Sequence, residues 1–336
     1  MYFENRGTSE NLGRLALHGG AVAAASAYGN AALQIAAAVM LARLMTPEDF
    51  GLVALVTALT IFAPLLIDFG LGDATAQATK ITHEQVSCLF WINSGIGFTI
   101  AVLVAVSSPV IAWIYGEPRV ASIALYSSVI FPLLGMSAQH IALLRRTMQF
   151  GAIAKVQIIG TLAGLAVAIP MAMSGYGYWA LVFRPIVNMA CVVVGAWLAC
   201  EWRPGLPVFD KDVSSMVRFG MHVVGYSAVT AASRGVDRIA LGLSYQPQQV
   251  GSYHNALMLY ENSIYNALAQ IHGVGSAALG KLRANPAELR EKYEAALSTL
   301  AFFVMPAAVI LSVTGSDVVV MLLGERWRES GVLLGI

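Results

Sequence analysis

Charge is scarce in this chain. Its 336 residues carry 20 Lys and Arg against 19 Asp and Glu, 12% in all, with a formal net charge of +1. So thin and even a balance leaves no basic face for nucleic acid and no acidic tail. Cysteine is scarcer still. Cys88, Cys191 and Cys200 lie in or at the ends of apolar stretches, without Cys-x-x-Cys spacing or a neighbouring histidine, so they offer no metal or redox set and are expected to pack as small apolar groups. No Gly-x-x-x-x-Gly-Lys-Ser/Thr loop occurs, which argues against an ATPase within the chain. Neither His-Glu-x-x-His nor Gly-x-Ser-x-Gly occurs, and no polar segment is long enough for a separate catalytic domain. The expectation is a protein that is not an enzyme and needs no cofactor or metal.

Apolar residues fill the space that charge leaves. They make up 57% of the chain, and the mean hydropathy is +0.69. Nine long apolar stretches are separated by short polar loops: Leu15 to Leu44, Phe50 to Gly72, Cys88 to Tyr115, Val120 to Leu144, Gly151 to Ser174, Tyr178 to Cys200, Phe219 to Leu243, Val250 to Leu279 and Ala296 to Leu323. A tenth starts near Gly331. About 20 helical residues cross a hydrocarbon core of about 30 Å, and helices satisfy their own backbone groups there, so the pattern predicts an all-α membrane protein. The first stretch is Ala-rich and follows Arg6 and Arg14. It exceeds the h-region of a secretory signal and is taken as a span.

Lys and Arg set the expected orientation. With the N-terminus inside, Arg14, Lys80, Arg145, Arg146, Lys155, Arg203, Lys281 and Arg290 fall on the cytoplasmic side, whereas Arg43, Arg119, Arg326 and Arg328 fall outside. The outer loop from Ser174 to Trp179 carries Tyr176, Tyr178 and Trp179, as an interfacial belt would.

Three motifs recur at offsets of about two hundred residues. Pro47-Glu48-Asp49-Phe50-Gly51 parallels Pro247-Gln248-Gln249-Val250-Gly251. Ser108 to Glu117 parallels Ser316 to Glu325, and Arg14 with His18 parallels Arg218 with His222. Because six spans separate the copies, the repeat is parallel. It predicts an N-lobe over residues 1–200, a cytoplasmic linker over 201–217 and a C-lobe over 218–336 that holds spans seven to nine and the start of a tenth. On this pattern the second copy stops after its third span, and the chain is expected to be part of a longer repeat, the alternative being a nine-span protein completed by a partner.

Ionisable residues inside spans are costly and face a cavity or a partner. Arg184 stands next to Pro185 in the sixth span. Arg234 and Arg238 share one helix face in the seventh, with Asp237 beside them. Asp237 either simply neutralises one of these arginines or leaves at least one free to face a cavity. Glu261 lies near mid-membrane in the eighth span, with no basic residue within a helical turn. It is either an ion-coupling carboxylate or one matched by Asn262, Asn266 or another helix. His140, His254 and His272 are expected to be hydrogen-bonded structure, and Asp68 and Asp73 to belong to an Asp-x-Gly-x-Gly turn. Gly160 and Gly164 suit close helix approach, as do Gly19 and Gly20. Pro64, Pro132, Pro170, Pro185 and Pro306 interrupt helical ladders.

Leu41-Ala42-Arg43-Leu44-Met45-Thr46-Pro47-Glu48-Asp49-Phe50-Gly51, Asp68-Phe69-Gly70-Leu71-Gly72, Glu84-Gln85 with Phe90-Trp91-Ile92-Asn93, and Gly324-Glu325-Arg326-Trp327 together resemble the Wzx-type lipopolysaccharide and exopolysaccharide flippases. They are most similar to the colanic-acid exporter group, in the superfamily that also holds multidrug extruders and lipid II flippases. The resemblance implies twelve or more spans and a cargo of oligosaccharide on polyprenyl pyrophosphate, moved across the bacterial cytoplasmic membrane. It implies Arg184, Arg234 and Arg238 as pyrophosphate ligands, because the guanidinium fork matches phosphate oxygens. Asp237 and Glu261 become candidates for ion coupling. Expected partners are the lipid-linked oligosaccharide, membrane lipids and proteins of polysaccharide polymerisation and assembly. A multidrug antiporter of the same fold would instead show an aromatic-rich cavity. A membrane glycosyltransferase or polymerase would carry acidic residues in a sizeable outer loop, and a non-transporting scaffold would need no charge in its spans.

Overall fold

A computed structural model describes residues 28–78, 80–207, 235–261 and 286–335. All regular structure among them is helical. Among the described residues, six helical segments are long and apolar enough to cross a membrane, namely Pro47–Ala76, His83–Tyr115, Arg119–Arg146, Phe150–Met173, Trp179–Ala199 and Tyr293–Leu323. Large apolar side chains face outward along them, among them Phe98, Val106 and Trp113. Such a surface suits lipid, and the chain is a multi-pass membrane protein. Arg14, His18, Gly19, Gly20, Arg218, His222, Arg234, Asn262, Asn266 and His272 lie outside the described residues, as does the linker beyond Pro207.

The first helix, α1, covers residues 28–44. The expected second span is not one helix but three: α2 (Pro47–Thr60), α3 (Ala63–Asp68) and α4 (Leu71–Gln77). Pro64 begins α3 instead of interrupting it, since a first-turn N–H has no helical partner to lose. The second break comes at Phe69 and Gly70, both left-handed with φ of 51° and 64°. Carbonyls freed there are met from the next span. Asn93 Nδ2 donates to Ile67 O at 2.9 Å and to Asp68 O at 3.4 Å, while Asp68 Oδ1 accepts from the Gly72 N–H at 3.3 Å. The Asp-x-Gly-x-Gly segment thus forms the turn its composition suggests.

Helix α5 (His83–Tyr115) is 33 residues long, about 50 Å at 1.5 Å per residue, so it outruns the bilayer core. Its start precedes the apolar stretch because Thr82 and Gln85 close a reciprocal capping box. The fourth span divides into α6 (Arg119–Ser127) and α7 (Ile130–Arg146), with Pro132 in the first turn of α7. Helices α8 (Phe150–Met173) and α9 (Trp179–Ala199) follow, each with a proline inside, Pro170 and Pro185. Then come α10 (235–244), α11 (Pro247–Tyr260), the long α12 (Pro286–Leu323) with Pro306 inside, and α13 (Arg328–Leu334).

Glycines let these helices touch backbone to backbone. A Cβ on Gly164 would stand 2.7 Å from Arg184 O, and one on Gly160 2.9 Å from Asn188 O, which fixes α8 against α9. Gly97 and Gly135 do the same between α5 and α7, each 2.5 Å from a carbonyl of the other helix. The tightest approach is between the two copies of the Pro-x-x-x-Gly motif. A Cβ on Gly51 would fall 1.6 Å from Pro247 O, and one on Gly251 1.8 Å from Pro47 O. Helices α2 and α11 therefore cross reciprocally, each opened by a proline and a capping box, Thr46 with Asp49 and Gln246 with Gln249.

The second repeated motif behaves alike. Helices α5 and α12 end at Gly116 and Gly324, whose φ values are 65° and 103°, and each is followed by a short helix that packs back on it. At this Pro47/Pro247 end, Arg43 donates to Met321 O at 2.7 Å and Leu322 O at 2.8 Å, capping the last carbonyls of α12. Trp327, fully buried, donates to Ala42 O at 2.8 Å and meets Phe50 edge-on at 5.1 Å. At the opposite end, marked by Arg145 and Arg146, residues 201–207 dock on α5. Trp202 Nε1 donates to His83 Nδ1 at 3.1 Å and Trp91 Nε1 to Gly205 O at 2.9 Å. His140 is buried there, stacked on Trp197 at 4.5 Å, so it is part of the core.

Candidate functional site

Among the described residues, two neighbouring chambers lie between the helices that carry the candidate polar groups. The larger, about 450 Å³, lies among α1, α3, α7, α8 and α9, with Asn30, Gln34, Ser137, Gln157, Thr161 and Asn188 on its wall and Asp68 and Arg145 towards one end. The smaller, about 360 Å³, is bounded by Gln34, Phe50, Arg184, Pro185, Asn188, His254 and Met258, so α11 forms one side. Gln34, Asn188 and Met189 line both, which makes the two chambers neighbours along one path.

Arg184 projects from α9 into the smaller chamber, one turn from Asn188 on the same face. Half-buried, it makes no ion pair or side-chain hydrogen bond among the described residues. Pro185 beside it removes one ladder N–H from α9. His254 faces the same space, its Nδ1 buried and without a hydrogen-bond partner among the described residues. A guanidinium left unmatched inside a span is expensive, and an anion entering the chamber would relieve that cost.

The other charges are matched across helices. Arg238 Nη2 lies 3.0 Å from Glu261 Oε1, with the arginine side chain 12% exposed and the glutamate 34%. Asp237 accepts a hydrogen bond from the Tyr253 hydroxyl, while Arg234, one of the two arginines it could neutralise, lies outside the described residues. Glu261 has no basic neighbour on its own helix, and its partner arrives from α10. Arg238 Nε and Asp237 Oδ1 remain buried without partners among the described residues. The structure thus brings Arg238, Glu261, Asp237 and Tyr253 into one cluster on α10 and α11, sets Arg184 in the chamber on α9, and leaves Arg234 outside the described residues.

The chamber wall itself escaped a reading centred on charge. Asn30 and Gln34, Gln157 and Thr161, and Arg184 and Asn188 are three polar pairs four residues apart, each on one face of an otherwise apolar helix. That spacing was visible in the sequence. Thr161 Oγ1 lies 3.1 Å from Asn30 Oδ1, and Asn188 Nδ2 3.4 Å from Thr161 Oγ1, which ties α1, α8 and α9 together around the space.

A family model described as polysaccharide biosynthesis protein matches residues 40–331. The chain belongs to that family. Among curated proteins of similar sequence, the lipopolysaccharide biosynthesis protein WzxC of Escherichia coli strain K12 is 24% identical over 296 residues, covering 86% of this chain and 59% of that protein. The teichuronic acid biosynthesis protein TuaB of Bacillus subtilis strain 168 is 24% identical over 310 residues, covering 90% and 63%. The succinoglycan biosynthesis transport protein ExoT of Rhizobium meliloti strain 1021 is 22% identical over 312 residues, covering 93% and 63%. This member of the family therefore spans about three fifths of the length of the curated relatives it matches. In fold it is similar to an inward-facing multidrug resistance MATE family transporter of the MOP superfamily, with a TM-score of 0.57 and 12% identity over 91% of this chain and 77% of that one.

Proposed function

We propose that the protein is a flippase, moving a polyprenyl-pyrophosphate-linked oligosaccharide across the bacterial cytoplasmic membrane by alternating access for surface polysaccharide synthesis. Arg184 carries this reading, as a guanidinium unpaired among the described residues and turned into an internal chamber of a member of the polysaccharide biosynthesis family. A pyrophosphate is the anion whose oxygens its planar fork fits, and the apolar flank of the bundle suits a polyprenyl tail. The N-lobe is residues 1–200 and the C-lobe 218–336, joined by a cytoplasmic linker over 201–217, with the N-terminus inside. Arg234 and Arg238 are the further phosphate ligands. Glu261 and Asp237 serve coupling: protonating Glu261 would break its ion pair and free Arg238 for the cargo. The lipid-linked oligosaccharide, membrane lipids and polysaccharide assembly proteins are its partners, and no chemical step is assigned to the chain.

The test is binding of undecaprenyl pyrophosphate to purified protein, with complementation of a flippase-deficient strain as the cellular readout. Arg184→Ala should weaken binding by about 1.5–3 kcal/mol, the usual value of a hydrogen bond to a charged group. Arg184→Lys should recover part of that, keeping charge without the fork. An alanine variant that inserts normally, binds the lipid like the parent and complements fully would refute the reading.

A further inference from the structure

We infer that the larger chamber is a saccharide site, in which the neutral side chains of Asn30, Gln34, Gln157, Thr161 and Asn188 hydrogen-bond the sugar hydroxyls of the cargo. The inference rests on the flippase reading and adds to it where the glycan sits and what reads it.

The chamber's chemistry selects the ligand. An amide both donates and accepts, as a hydroxyl does, so a wall of amides complements a polyol without asking it to carry charge. The side-chain amides of Gln34 and Gln157 form no hydrogen bond among the described residues, and both stand open to the chamber, so their capacity is available to an occupant. A phosphate would call for a free cation. The charged groups here lie at one end and are already engaged, Asp68 Oδ1 with the Gly72 N–H and Arg145 with Asp73 at 3.6 Å. An organic cation would call for aromatic rings, and no aromatic residue among the described residues lines this chamber.

Position agrees with chemistry. Gln34 and Asn188 border both chambers, and Asn188 lies one helical turn from Arg184, so a pyrophosphate at Arg184 would direct its first sugar onto these two amides. The next sugars would continue towards Gln157 and Asn30. A volume of about 450 Å³ falls within the roughly 300–1,000 Å³ usual for small-ligand sites.

Two lipids separate this site from the pyrophosphate site: bare undecaprenyl pyrophosphate, and undecaprenyl pyrophosphate bearing the oligosaccharide extracted with it from the cells that make it. The unaltered protein should bind the glycan-bearing lipid at least about tenfold more tightly, the sum of two or more neutral hydrogen bonds. Gln157→Met keeps side-chain length and removes an amide that lines only the larger chamber. It should lose about fivefold in affinity for the glycan-bearing lipid and nothing for the bare one, whereas Arg184→Ala should weaken both. Equal affinity of the unaltered protein for the two lipids overturns the proposal without needing any variant to fold. So does an equal loss for both lipids in the methionine variant, or a dependence on sodium with no discrimination between them. Failure of the unaltered protein to bind either lipid would instead sink the flippase reading.

Discussion

Replacing Gly51 with alanine tests the reciprocal crossing of α2 and α11 with a single methyl group. The added Cβ would sit 1.6 Å from Pro247 O, a backbone atom with no rotamer to escape through. The helices would have to part by roughly 1.5 Å, and forcing a methyl into packed backbone costs about 1–3 kcal/mol. Alanine also gains up to about 1 kcal/mol in helix propensity, so the raw change understates the strain. Gly95→Ala is the matched control: it lies within α5, and a Cβ there meets nothing within 4 Å. Propensity then cancels between the variants, and Gly51→Ala should melt below Gly95→Ala by roughly 2–6 °C in detergent. Adding Gly251→Ala should cost less than a second full increment, because the first methyl has already parted the helices. If Gly51→Ala melts at or above the control, the crossing is not the tight contact described.

Three further outcomes follow from other elements. Asn93→Ala should lower stability by about 1–3 kcal/mol in thermal unfolding, because the Ile67 and Asp68 carbonyls lose their donor at the break in the second span. Arg238→Ala should destabilise by about 3 kcal/mol by stranding Glu261, and Glu261→Gln in the same chain should recover most of it; Glu261→Gln alone should abolish any pH dependence of transport. The Arg119 hydrogen bond holds the Glu117 carboxyl below its ordinary value of 4.5, so its contribution is present above that value and lost as pH falls through the folded one. Since the Arg119 side chain is 43% exposed, that loss should stay below about 1 kcal/mol in acid melting curves and vanish in Arg119→Gln.

Hydropathy located the six long apolar helices because lipid imposes length and apolarity on each, whereas the first, seventh and eighth stretches fall partly outside the described residues. It did not show that the second span is three helices. The signal there is a left-handed pair, Phe69 and Gly70, and a phenylalanine gives no warning of positive φ. Apolar windows also understated α5 and α12, which continue into polar sequence: α5 gains its first turn from the Thr82 and Gln85 cap, and α12 starts at Pro286, ten residues before the apolar run. For the site, charge pointed to Arg184, Arg238 and Glu261, but which charge meets which was decided by helix packing, a long-range property. The neutral polar residues Asn30, Gln34, Gln157, Thr161 and Asn188 were legible by spacing and overlooked because neutral side chains raise no electrostatic alarm.

The crossing of Gly51 with Pro247 and Gly251 with Pro47 has the symmetry of a homodimer interface, where one surface patch meets its own copy about a twofold axis. A half-length ancestral chain carrying a single Pro-x-x-x-Gly motif would have made this contact with a second molecule, and fusion of the two genes would have turned a dimer seam into an internal one. Beside the seam the two motifs differ in charge: Glu48 pairs with Arg119 at 2.7 Å, whereas Gln248 is neutral. At the seam itself neither glycine has room for a Cβ, so a side chain admitted on one helix would displace the other.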